Sequence, residues 1–154
     1  MWATAVALLR GDREGGRRRV LEEAKALDSL PLDANWLYSA TALGIQLAHL
    51  GDADAAAAVY PRVLPYRELA VTSGRASACS GSVALSLGLL AATLGDHEGA
   101  IAHLEAAVRR NDELGAAPFA AAARRALSAL GDDDDRATAL RREAGVAMRP
   151  HGLV

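Results

Sequence analysis

The chain has 154 residues, 51% hydrophobic and 23% charged, a composition that folds and does not stay disordered. Aromatic residues make up only 4%, too few for a typical β-sandwich or barrel, while alanine, the strongest helix former, is the commonest residue. A net charge of −2, with Lys25 the single lysine, argues against direct binding of nucleic acid through a basic field, and the lone Cys79 rules out an intramolecular disulfide.

In chain order, the apolar and capping pattern predicts helices over 2–10, 13–27, 35–50, 53–64, 77–94, 97–113, 117–130 and 134–147. The apolar start, Met1 to Leu9, lacks a basic leader region and a cleavage site, and reads as the first helix rather than a signal peptide. No apolar run approaches the ~20 residues needed to span a bilayer, so no membrane association is expected and the cytoplasm is the expected compartment. Pro61 falls inside the fourth predicted helix and should kink or shorten it. The stretch after it, about 65–78, carries Gly74 and several serines and threonines, and is expected to be an irregular loop.

A dipeptide repeats through this order. Gly-Asp occurs at 11–12, 51–52, 95–96 and 131–132, separated by 40, 44 and 36 residues, each time between two helical segments. A glycine just past a helix adopts the left-handed conformation that closes it. The aspartate after it caps the next helix, because its carboxylate accepts from amides that have no partner inside the helix. Four such signals predict four helix–turn–helix hairpins. The third, Leu87 to Ala107, matches the tetratricopeptide pattern most closely: Gly88 is the small residue of its first helix, Ala100 the small residue at the crossing, Leu104 the large core residue and Ala107 the next small one. Gly44 and Ala56 repeat the pattern in the second hairpin. The fold expected is an all-α, right-handed α-solenoid of about four tetratricopeptide-like hairpins, forming a single domain over 1–154.

Several short motifs add to the repeat: Asp33-Ala34-Asn35-Trp36-Leu37, Leu64-Pro65-Tyr66, Cys79-Ser80-Gly81-Ser82, Leu87 to Gly95, and Asn111 to Ala116 followed by Pro118. Together they resemble the C-terminal tetratricopeptide-like region of large bacterial signalling ATPases, in which cyclase or transcription-activator domains are joined to a nucleotide-binding core. The phosphate-binding loop of those proteins, Gly-x-x-x-x-Gly-Lys-Ser/Thr, is absent, as are their cyclase carboxylates and DNA-reading helices. The resemblance therefore implies the tail alone: a non-catalytic interaction, scaffold or ligand-sensing module of a signalling or regulatory protein.

Searched for catalytic chemistry, the chain offers little. His49, His97, His103 and His151 show no metal-ligand spacing, and neither a metal nor a cofactor is expected. Cys79 and Ser82 lack a recognisable base and nucleophile elbow. The acidic run Asp132 to Asp135 and the basic run Arg17 to Arg19 read as solvated helix ends and faces. The set richest in recognition chemistry is Asn35, Trp36, Tyr38, Arg62, Tyr66, Arg67 and Arg75, because aromatic and arginine side chains dominate binding hot spots. For Trp36 a place in the core competes evenly with that role. The partner expected is a protein or peptide in a concave groove, with a small ligand as a further candidate. The alternative is a small solenoid enzyme or small-molecule-binding protein that uses a pocket near 65–80. Trp2, Val6 and Leu9, on an apolar helix with no earlier repeat to cover it, mark the expected face of a homodimer.

Overall fold

At the two central hairpins the repeat signals mark real helix ends. The computed structural model describes residues 12–33, 35–73, 78–131, 138–140 and 142–144. The long helices are α1 (Arg13–Ala26), α2 (Trp36–Leu50), α3 (Ala53–Val63), α4 (Val83–Thr93), α5 (His97–Glu113) and α6 (Ala117–Leu130). Residues 138–140 and 142–144 are also helical. The predicted helix 2–10 lies outside the described residues, as does part of 134–147.

The Gly-Asp turns work as their chemistry requires at the two central hairpins. Gly51 and Gly95 hold φ of 66° and 79°, a region in which only glycine avoids a Cβ clash. Asp52 and Asp96 then cap α3 and α5, each accepting from the amide three residues on, at 3.1 Å from Ala55 and 2.9 Å from Gly99. Asp12 caps α1 in the same way through Gly15. Gly131 departs from the expectation: its φ is −81°, in extended backbone and not in the left-handed region. The left-handed closure between α5 and α6 falls instead on Gly115, at φ 65°.

Pro61 sits in the last turn of α3, where it removes one amide donor; the helix ends at Val63 and tightens into a 3-10 turn over Leu64–Tyr66.

The irregular loop expected at 65–78 is corrected by an antiparallel pair of strands, β1 (Ala70–Ser73) and β2 (Ala78–Ser82), so the helix predicted from 77 begins only at Val83. Three features explain it. Val71, β-branched and 1% exposed, anchors β1 in the core. Between the paired positions Ala70↔Ser82 and Thr72↔Cys79, β2 carries one residue more than β1, a bulge that contains Gly81 at φ 79°. A Cβ on Gly81 would stand 2.7 Å from Cγ of Phe119 and 2.9 Å from Oδ1 of Asn111, so the bulge is clamped by α5 and α6.

Each of α2 to α5 packs on the next helix, and α2 and α4 pack on each other across α3. α4 lies between two buried clusters. Leu27, Trp36, Leu43, Leu47, Val59 and Val63 join Leu87 and Leu90 on one side, and Leu104, Ala107, Ala123 and Leu127 join Ala84 and Leu85 on the other. Gly88 is the close-approach point with α5: a Cβ there would lie 2.5 Å from Cγ of Leu104. Ala100 is fully buried.

Candidate functional site

α2 and α4 contain no aspartate, glutamate, lysine or arginine. Their contact is set by small residues. A Cβ on Gly44 would run into Ser86 Oγ and Leu90 of α4, and Ser86 Oγ donates to the carbonyl of Thr41 at 3.0 Å. Further along, Ala48, His49 and Gly51 line an open groove of about 430 Å³ together with Leu89, Ala92 and Thr93. As α2 advances from 41 to 49, its partners on α4 advance from 86 to 93. The two helices are therefore parallel, and their C-terminal ends flank the same groove.

The polar side chains of this groove have their donors turned inward. His49 Nδ1 lies 2.8 Å from the carbonyl of Ile45, which only accepts, so Nδ1 carries the proton and in the neutral ring Nε2 is left as an acceptor. Thr93 Oγ donates to the carbonyl of Leu89 at 2.9 Å, leaving its lone pairs. Two smaller recesses lie beside α1. One of about 270 Å³ is lined by Ala26, Leu27, Leu30 and Leu43 with Glu23 and Ser39; another of about 340 Å³, towards α3, includes Lys25, Asp52, Asp54 and Arg62. None of the three is lined by Cys79, which is exposed on β2.

The structure divides the aromatic and arginine set. Trp36 is 9% exposed and belongs to the core, its ring centroid 5.5 Å from that of Tyr66 in a tilted contact. Tyr38 and Tyr66 are half-buried against the same cluster. Arg62 forms an ion pair with Asp28 and also donates to the carbonyl of Ala58, so it ties the first hairpin to the second. Arg67 is exposed and pairs with Glu68 at 3.4 Å. Asn35 is exposed just before α2, its amide donating to Asp33 Oδ1 at 2.8 Å. Only Trp36 and Tyr66 meet in direct ring contact; Arg75, Trp2, Val6 and Leu9 lie outside the described residues.

Sequence reasoning missed three polar contacts that join elements far apart in the chain. Tyr60 of α3 and Nε2 of His103 on α5 share a hydrogen bond of 2.9 Å. Burial pushes the imidazole pKa of His103 below its usual value, opposed by Asp96 and helped by Arg67, and burial with Asp96 raises that of Tyr60. Both shifts favour the neutral pair. Asp52 is held below the usual carboxylate range by the Ala55 amide and by Arg17, 3.1 Å away. Asn111, fully buried in α5, accepts from the Ser82 amide at 2.8 Å and fastens β2. The partners are 35 residues apart in the chain for Arg17–Asp52, 43 for Tyr60–His103 and 29 for Ser82–Asn111, so no local spacing announces them.

No group of three or more histidine, cysteine, aspartate or glutamate side chains placed to hold a metal ion occurs among the described residues, and no described helix is long and apolar enough to cross a membrane. No protein-family model, curated protein or solved structure matches the chain.

Proposed function

We propose that the chain is a non-catalytic interaction module: a right-handed stack of tetratricopeptide-like hairpins that holds a protein or peptide partner in the groove between α2 and α4. The observation that carries this reading is the pairing of two parallel first helices, without ionised carboxylates or basic chains, around an open groove of about 430 Å³. Parallel first helices of successive hairpins form the concave wall of a helical repeat protein, and such walls take extended or helical segments of partners. The resemblance to the tail of bacterial signalling ATPases supports a cytoplasmic regulatory setting for the same activity.

Immobilised random peptides incubated with the labelled full chain test the reading. Retained peptides should be released by Ala92→Phe, which fills the groove, while the helical dichroism stays unchanged. Retention that survives this substitution places binding elsewhere, and a chain that no peptide retains is not a peptide-binding module.

A further inference from the structure

The start of α4 is closed in by protein. Ser82, just before its first turn, is 3% exposed, and Val83, Ala84 and Leu85 after it are 0%, 3% and 4% exposed. α1, α3 and α5 each begin on an aspartate that accepts from a first-turn amide, but Ser82 makes no such bond. Its buried hydroxyl has no hydrogen-bond partner. On α5, the two ends of the fully buried Asn111 carboxamide fare differently. Oδ1 accepts from the Ser82 amide at 2.8 Å, which fixes the orientation of the group, because Nδ2 in that place would set donor against donor. Nδ2 is left buried without an acceptor. The two unpartnered groups therefore flank one hydrogen bond, at the N-terminal end of a helix.

Buried polar groups are held by partners, and what these two lack is a small acceptor that can also meet a hydroxyl. An anion would give up its hydration there without a cation in exchange: Arg110, beside Asn111 in the chain, is turned to the Glu68 carbonyl and to Glu113. A water oxygen accepts from Nδ2, is favoured by the positive end of α4, and keeps hydrogens to donate. We infer that an internal water molecule is bound at the start of α4, accepting from Asn111 Nδ2 and donating to Ser82 Oγ. It completes the junction at which β2, α4 and α5 meet.

Oxygen-17 relaxation dispersion of the solvent tests the site, since it registers waters that exchange more slowly than the protein tumbles and is blind to hydroxyl groups. Ser82→Val suits the extended backbone of this position and fills the site with methyl groups. It should lose the amplitude of one such water relative to the parent protein while the helical dichroism is retained. An unchanged amplitude overturns the site. In the parent protein, direct Overhauser transfer from water to the Nδ2 protons of Asn111 is expected, and its absence overturns the site whether or not the variant folds.

Discussion

The two buried clusters that flank α4 are built from different side chains. The first is mostly large ones, among them Leu27, Trp36, Leu43, Leu47, Val59 and Val63, with Ala24, Ala40 and Ala56 between them. The second relies on alanine, Ala84, Ala107 and Ala123, around Leu104 and Leu127. Small residues let helices approach closely beside both clusters, at Gly44 against Ser86 and Leu90 and at Gly88 against Leu104, and large side chains fill the rest. α4 serves both, contributing Leu87 and Leu90 to one cluster and Ala84 and Leu85 to the other. That double burial is why its sequence has no polar face.

The largest expected effect tests whether the clusters are one cooperative unit. Leu47→Ala, at a fully buried position of the first cluster, should cost about 2–5 kcal/mol through lost burial and a residual cavity. Denaturant unfolding should remain a single transition, because α4 couples the clusters; two transitions would break the comparison into independent halves. Next come the small crossing positions. Ala56 and Ala100 are both fully buried, and enlarging either to leucine should overpack the crossing and cost about 1–3 kcal/mol. A variant as stable as the parent protein would show slack that the packing does not contain.

Smaller effects separate the polar contacts. Asp52→Ala removes the cap of α3 and should cost about 0.5–2 kcal/mol. The pKa of Asp52 in the folded chain lies below its ordinary 3.8, so its contribution is complete above that value and is lost as pH falls through the folded one. Thermal melts between neutral pH and pH 3 should show Asp52→Ala and the parent converging at the acid end.

The Tyr60–His103 pair should give the weakest signal, on both flanks of neutrality. His103 is depressed below 6.5, so its contribution is complete above 6.5 and declines as pH falls through its folded value. Tyr60 is raised above 10.0, so its contribution is complete below 10.0 and declines as pH rises through its folded value. In His103→Gln the acid-side decline assigned to this residue should disappear; an unchanged melting profile would assign it to another group.

Much of the helical plan was legible because its signals are local. Asp52 and Asp96 cap helices three residues away, Gly51 and Gly95 close the helices just before them, and α5 runs over the residues that its pattern of small and large positions indicates. The candidate site was legible only in outline. Trp36, Arg62 and Tyr66 carry the composition of a binding surface, yet the structure uses Trp36 and Tyr66 as mutual packing and Arg62 as a brace to Asp28. The groove that emerges instead is lined by alanine, leucine, threonine, one histidine and Gly51, and of these only Gly51 belongs to a motif, one that signals a turn and not a site.

By itself, then, the sequence determined the ends of most described helices, the start of α4 excepted, because a cap or a left-handed glycine is satisfied within one turn of chain. The tertiary structure decided what lies between Tyr66 and Val83. Its serines and Gly74 suit a loop, but Val71 finds a buried site and the Gly81 bulge finds Asn111 and Phe119, groups supplied by helices 30 or more residues further on. It also decided that α2 and α4 run parallel with their C-terminal ends at one groove, since the direction in which two helices pack depends on contacts across the chain and not on either helix alone.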